Sequence, residues 1–240
     1  MKSEKRVIVA LDVETTTEAR GIIDSLRGEV AGFKIGLQLF ATAGPDFVRE
    51  VAAANRVFLD LKFHDIPSTV ASASVEAARL GVWMFNVHAS GGREMMKRTF
   101  EEVSRCCERE GRNRPFIIGV TVLTSSDAAT LRETGIEKAA DQQVLNLARL
   151  AAECHLDGVV ASPLEAASIR EAIARPEFLI VTPGVRPNFA TNDDQKRVMT
   201  PRSALSAGSD YLVIGRPITR AVDRLAALKE INQEIDAARK

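Results

Sequence analysis

Eight short apolar runs recur along the whole chain. They cover residues 7–11, 33–37, 57–61, 84–87, 116–122, 158–161, 178–181 and 211–214. Each run is nearly continuous in apolar character, which is typical of parallel strands that are covered on the outside by helices. We therefore predict a strand at each run.

Longer helix-like segments separate these runs. The predicted helices cover residues 18–26, 46–54, 68–80, 93–110, 139–153, 163–174, 202–207 and 220–238. Eight strand–helix units in a chain of 240 residues match a (β/α)₈ barrel better than a doubly wound sheet, which usually has five or six strands. Since no Gly-, Ser- or Pro-rich linker divides the chain, we predict an α/β fold with a single (β/α)₈ TIM barrel domain over residues 1–240.

Charged residues lie at or near the ends of three consecutive predicted strands. Asp12 ends the first, Lys34 interrupts the second, and Asp60 and Lys62 lie at the end of the third, with Asp65 just beyond. Residues two apart in a strand share a face, so Asp60 and Lys62 should project the same way. Active sites of such barrels lie at the carboxyl ends of the strands. The pattern predicts a site at this end, although a structural ion-pair network at the barrel mouth would produce the same pattern.

The loops after the last two predicted strands each place a glycine beside an arginine. Gly184 and Arg186 follow the seventh strand, and Gly215 and Arg216 follow the eighth. Barrels often bind phosphate between these loops through backbone N–H groups and a cation. Two surface arginines after turns are the alternative. The long loop over residues 183–200 has polar tips and is predicted to be a lid.

Composition narrows the partners and the compartment. The chain has 32 Lys plus Arg and 32 Asp plus Glu, so its net charge does not indicate nucleic acid or an anionic membrane as a partner. The three cysteines show no CxxC spacing, which favours a reducing cytoplasm. The first ten residues lack the apolar core of a signal peptide, and no apolar run is long enough to span a bilayer. We expect a soluble cytoplasmic protein.

Two histidines near the charged cluster raise the question of a metal. His64 and His88, with Asp60 and Asp65, could be interpreted as metal ligands. The lysines of the same cluster would repel a divalent cation, so we predict no metal site. The chain also carries no cofactor motif, and we predict no cofactor.

Residues 58–69, FLDLKFHDIPST, are specific enough to indicate a family. This segment resembles the signature of the orotidine 5′-phosphate decarboxylase family, of the bacterial type. The resemblance extends to residues 9–12, 33–36, 86–89, 123–125, 182–186 and 214–216, which span almost the whole chain in barrel order. It implies cofactor-independent decarboxylation of orotidine 5′-phosphate to UMP and CO₂, the last step in the de novo synthesis of UMP.

The resemblance also implies roles for individual residues. Lys62 would protonate C6 of the pyrimidine, and Asp60 would face the substrate carboxylate. Asp12 and Lys34 would hold the ribose hydroxyls, and Thr124 would hydrogen-bond the pyrimidine. A lysine between two carboxylates is held protonated, which suits a proton donor rather than a nucleophile.

The remaining implied residues bind the phosphate side of the substrate or cross between subunits. The first group is Pro183, Arg186, Gln195, Gly215 and Arg216. The second group is Asp65, Ile66 and Thr69, which would reach into the active site of a neighbouring subunit. The resemblance therefore implies a homodimer with shared active sites.

Two alternative functions remain open at this point. A Mg²⁺-dependent sugar-phosphate decarboxylase or synthase of the same barrel superfamily shares the Asp-x-Lys-x-x-Asp pattern, but needs an acidic metal ligand on the second strand, where this chain has Lys34. A non-catalytic phosphate-binding barrel would explain the two glycine–arginine loops, but not the buried Lys and Asp residues.

Overall fold

A computed structural model describes residues 5–187 and 199–237. Eight parallel strands form a closed barrel in chain order, and β1 pairs with β8 to complete it. The strands are β1 (Val7–Ala10), β2 (Gly32–Gly36), β3 (Val57–Phe63), β4 (Met84–His88), β5 (Phe116–Val120), β6 (Gly158–Val160), β7 (Leu179–Thr182) and β8 (Tyr211–Ile214). Each predicted strand is present, and the predicted (β/α)₈ fold is confirmed.

Helices surround this barrel. They are α1 (Thr16–Leu26), α2 (Leu37–Ala52), α3 (Pro67–Arg79), α4 (Gly92–Glu110), α5 (Ala128–Glu133), α6 (Ala140–Glu153), α7 (Ala166–Ala172), α8 (Pro201–Ser206), α9 (Arg216–Thr219) and α10 (Arg224–Asp236). The prediction of a helix over 46–54 missed the first half of α2, because Gly44 at φ 71° and Pro45 interrupt the helical pattern there. The sequence pattern also did not predict α5 and α9, because these helices are too short to show a hydrophobic period.

Alternate residues of each strand face opposite sides of the barrel wall. Ile8, Phe58 and Met84 belong to a small apolar cluster inside the barrel. Their neighbours Val9 and Leu59 belong to the larger cluster that packs against the helices. This period of two explains why both faces of the strands are apolar, and why a polar residue on an inward position is unusual.

Aromatic side chains occupy the end of the barrel at which the strands begin. Trp83 makes edge contacts with Tyr211 and Phe116, at centroid distances of 5.1 Å and 6.1 Å. Arg56 covers the Trp83 ring at 5.2 Å. The barrel interior is therefore packed at this end, which we call the bottom. We call the opposite end, where the strands finish, the mouth.

Strand β3 departs from regular pairing just before the mouth. Leu59 pairs with Phe85 and Phe63 pairs with Val87, so residues 60–62 of β3 face the single residue 86 of β4. Within this bulge Lys62 has a φ of 52°, in the left-handed region that few non-glycine residues adopt. Bulges of this kind redirect side chains, often beside active sites.

Candidate active site

Four charged side chains form a chain of alternating sign at the mouth. Lys34 Nζ lies 3.0 Å from Asp12 Oδ1 and 3.2 Å from Asp60 Oδ2. Lys62 Nζ lies 2.7 Å from Asp60 Oδ1. The three strands β1, β2 and β3 thus deliver Asp12, Lys34, Asp60 and Lys62 to one place, as the sequence predicts.

The network keeps its two most buried members charged. Burial alone would lower the pKa of Lys34, but the nearby carboxylates of Asp60 and Asp12 outweigh it, and the pKa is raised. Burial alone would raise the pKa of Asp60, but Lys34 and Lys62, with a hydrogen bond from Asn86, lower it. Both groups are therefore ionised at neutral pH, and the site presents fixed charges.

Asp60 and Lys62 do face the same cavity, but not for the reason that the sequence pattern gave. Strand alternation predicted this arrangement, whereas the strand is bulged between the two residues. The positive φ of Lys62 turns its side chain back toward Asp60, while Leu61 packs against the main core. The expected outcome is confirmed, and the bulge is its physical cause.

A cavity of about 490 Å³ opens at the mouth. Nine of the predicted substrate or catalytic residues line it, namely Asp12, Lys34, Asp60, Lys62, Thr124, Pro183, Arg186, Gly215 and Arg216. Apolar residues such as Phe58, Val120 and Val160 form its floor and part of its wall. The cavity therefore joins a charged side to an apolar floor, which suits a planar ring that carries polar substituents.

Cationic side chains that follow β7 and β8 also line the cavity. Arg186 follows β7, and Arg216 follows β8 at the start of α9. Arg220 also lines the cavity, and the sequence analysis missed it. Its spacing of four residues from Arg216 was the available signal, since residues i and i+4 share a helix face. A substrate anion such as a phosphate would meet three guanidinium groups here.

Comparison with known proteins gives the chain a family. Residues 5–231 match the model of the "Orotidine 5′-phosphate decarboxylase / HUMPS family". The chain belongs to this family. Orotidine 5′-phosphate decarboxylase of Syntrophotalea carbinolica is 51% identical over 99% of this chain and 98% of the relative. That of Geobacter sulfurreducens is 52% identical over 98% of each.

A solved structure supports the same assignment. The crystal structure of orotidine 5′-phosphate decarboxylase from Lactobacillus acidophilus has a TM-score of 0.85 and 37% sequence identity. The match covers 97% of this chain and 100% of that chain. The resemblance on residues 58–69 is therefore confirmed at the level of the family.

Some residues that the family resemblance singled out lie away from the cavity of their own chain. Asp65, Ile66 and Thr69 are exposed, and the Ile66 side chain is 64% exposed. Asp65 Oδ1 accepts a hydrogen bond from the Ile66 backbone N–H at 2.6 Å. Gln195 lies outside the described residues. A single chain therefore brings together the charged network and the arginines, but not the Asp65 group.

The two histidines lie beside the network rather than within it. The rings of His64 and His88 are 5.3 Å apart. Burial lowers the pKa of His88, and the charges of His64 and Lys62 lower it further. Within residues 5–187 and 199–237, no group of three or more His, Cys, Asp or Glu side chains could hold a metal ion.

Proposed function

We propose that this member of the family converts orotidine 5′-phosphate into UMP and CO₂ without a cofactor. Two relatives that are 51% and 52% identical to this chain over nearly its full length are named orotidine 5′-phosphate decarboxylase. The observation that supports the proposal most strongly is the ammonium of Lys62, held 2.7 Å from Asp60 at the rim of an apolar floor. The reaction needs a fixed positive charge of this kind.

The charge that develops during decarboxylation explains why a fixed cation is needed. When the bond from C6 to the carboxylate breaks, its electron pair stays on C6 as a carbanion that the ring delocalises poorly. A preorganised cation aimed at C6 stabilises that charge as it develops. Lys62 would supply this charge and then transfer a proton to C6, and the lysine would regain a proton from solvent.

Asp60 would act on the ground state. A substrate carboxylate on C6 would lie beside the Asp60 carboxylate, which the network keeps ionised. The repulsion between the two anions is relieved when neutral CO₂ leaves, so it favours the transition state over the bound substrate. Lys34 holds Asp60 from the other side at 3.2 Å, which prevents the carboxylate from turning away.

The rest of the substrate would extend across the cavity. Asp12 and Lys34 would bind the ribose hydroxyls, and Thr124 would hydrogen-bond the pyrimidine. The phosphate would bind to residues of the loops that follow β7 and β8, namely Pro183, Arg186, Gly215 and Arg216. Gln195, from the same loop as Pro183 and Arg186, would join them. Binding energy from the phosphate, far from C6, would hold the strained complex together.

We also propose a homodimer with shared active sites. Asp65 and Ile66 lie between β3 and α3, just beyond the bulge that carries Lys62, and Thr69 lies in the first turn of α3; all three are exposed. An exposed isoleucine beside an exposed carboxylate fits a surface that a second copy covers. In such a dimer Asp65 of each chain would complete the charged network of the other.

A reducing cytoplasm is the compartment that fits best. Cys106, Cys107 and Cys154 are buried free thiols. No helix in the described residues is long and apolar enough to cross a membrane.

An ultraviolet assay tests the proposed reaction. Purified protein is dialysed against EDTA and mixed with orotidine 5′-phosphate, with and without added Mg²⁺, and loss of the orotate absorbance is followed together with UMP by chromatography. We expect full turnover in both samples, because the Lys34 ammonium already lies between the two carboxylates that a metal would bind. Strict dependence on Mg²⁺ would favour the sugar-phosphate alternative. Tight phosphate binding without turnover would favour the non-catalytic barrel.

Mixed dimers test the shared site. A Lys62→Ala chain and an Asp65→Ala chain should each be nearly inactive alone. When the two are unfolded, mixed and refolded, about half of the dimers are mixed, and one site in each of these has both residues intact. Roughly a quarter of wild-type activity should return. No recovery despite demonstrated subunit exchange would mean that Asp65 serves its own barrel.

A further inference from the structure

A buried asparagine lies directly behind the charged network. Asn86 is on β4 between the apolar residues Phe85 and Val87, and it is 1% exposed. An amide at an inward position of a buried strand is costly unless it is hydrogen-bonded. Its partners therefore indicate what it is for.

Both polar atoms of the Asn86 side-chain amide form hydrogen bonds to β3, the strand that carries Asp60 and Lys62. Its Oδ1 accepts a hydrogen bond from the backbone N–H of Lys62 at 2.8 Å. Its Nδ2 donates to Asp60 Oδ1 at 2.7 Å. That same Asp60 oxygen accepts from Lys62 Nζ at 2.7 Å. One amide thus fixes the backbone of the proposed proton donor and the carboxylate that faces it.

The bulge of β3 creates the need for such a group. Because residues 60–62 face only residue 86, the Lys62 N–H points at a side chain rather than at a strand carbonyl. The left-handed φ of 52° costs free energy in a lysine, so it persists only where its surroundings hold it. The side-chain oxygen of Asn86 therefore accepts the hydrogen bond that a backbone carbonyl of β4 would accept in a regular strand pair.

We propose that Asn86 is a positioning residue for decarboxylation, which holds Lys62 in its left-handed conformation and Asp60 in its orientation toward the substrate. Asn86 acts through these two residues and need not touch the substrate. The inference rests on the proposed function, because the two residues that it orients are those assigned to the reaction.

An isosteric substitution tests this role. Asn86→Leu keeps the number and the branching of the side-chain heavy atoms and removes both hydrogen bonds. The control is Ser209→Ala, which removes a buried hydrogen bond to Thr182 at 2.7 Å, away from the cavity. We expect Asn86→Leu to lower kcat about 10- to 100-fold, the loss that a misplacement of about 1 Å causes. The KM and the Kd for UMP should change by less than about threefold, since the arginines and Asp12 are untouched.

The control separates positioning from stability. Ser209→Ala should lower the Tm while leaving kcat at its wild-type value. A folded Asn86→Leu protein with wild-type kcat would overturn the proposal. So would a rise in KM and in the Kd for UMP as large as the fall in kcat, because Asn86 would then serve binding. If the wild-type chain itself fails to turn over orotidine 5′-phosphate, the proposed function fails instead.

Asn86→Asp provides a second test if the leucine variant does not fold. This substitution keeps the size of the side chain and the acceptor for the Lys62 N–H, but it places a second carboxylate against Asp60. The nearby cations are Lys34 and Lys62, and His88 lies on the same strand. Two carboxylates this close share a proton when one is available, and the protonated pair would restore both the donor and the charge of the wild-type pair. The ratio of variant to wild-type kcat should therefore rise as pH falls. A ratio that does not depend on pH would contradict the proposal.

Discussion

The two ends of the barrel both hold partly buried ion pairs, but their carboxylates have different partners. At the bottom, Asp157 accepts two hydrogen bonds from Arg114, each of 2.7 Å, and a third from the Ile117 backbone N–H at 2.7 Å. Asp210 likewise accepts one hydrogen bond from Arg170 and one from the Ile180 backbone N–H, both at Oδ2. Each bottom aspartate therefore joins an arginine to the start of a neighbouring strand.

Asp60, at the mouth, has a different set of partners. Asp60 meets Lys34, Lys62 and Asn86, all through side chains, and both lysines line the cavity. Lysine is a compact charge that can give up a proton, whereas arginine stays charged and fixes planar geometry. Burial and ion pairing are therefore common to both ends of the barrel. Asp60 differs from Asp157 and Asp210 in the cations that it meets, which are two lysines rather than an arginine.

The largest expected effect is at the mouth. Lys62→Ala should lower kcat by about 10³-fold or more with the fold intact, by comparison with the deletion of single oxyanion-hole donors. Steady-state turnover of orotidine 5′-phosphate measures it, and circular dichroism checks the fold. Lys229→Ala, at an exposed lysine of α10, is the matched control and should be unchanged. A folded Lys62→Ala variant that keeps more than a few per cent of activity would remove Lys62 from the reaction.

The bottom should respond in stability instead. Arg114→Met keeps the packing of the side chain against Phe100 but leaves Asp157 without its cation, and it should cost about 2 to 3 kcal/mol of unfolding free energy. Urea unfolding measures this cost. Arg49→Met, in an exposed pair on α2, should cost about 0.5 kcal/mol or less. The kcat of both variants should equal that of the wild type, and a tenfold fall for Arg114→Met would break the comparison.

Much of this arrangement could be predicted from the sequence, and the gaps have physical reasons. The strands were readable because parallel strands are apolar on both faces. Lys34 and Asp60 stood out because they are charged at inward positions. The bulge and Asn86 were not predicted, because the pairing of β3 with β4 depends on residues distant in the chain. The role of Asp65 rests on the family resemblance, since one chain cannot show it.

A smaller effect concerns pH. The lowered pKa of Asp60 means that its ionisation favours the folded state. This contribution is fully present above the unfolded pKa of about 3.9 and is lost as pH falls through the folded pKa. The difference in unfolding free energy between wild type and Asp60→Asn should therefore be constant from about pH 5 to 7 and shift in favour of the variant below about pH 4. A change between pH 5 and 7 would mean a raised pKa.

The central claim is that mouth carboxylates serve the reaction and bottom carboxylates serve the fold. The most direct measurement makes the same substitution at both ends, Asp60→Asn and Asp157→Asn, and records kcat and the unfolding free energy at pH 7 for each. We predict that Asp60→Asn lowers kcat by at least about 10²-fold. Asp157→Asn should keep the wild-type kcat and lose about 1 to 3 kcal/mol of unfolding free energy. Equal kcat in the two variants, or a larger loss of stability for Asp60→Asn than for Asp157→Asn, would contradict the claim.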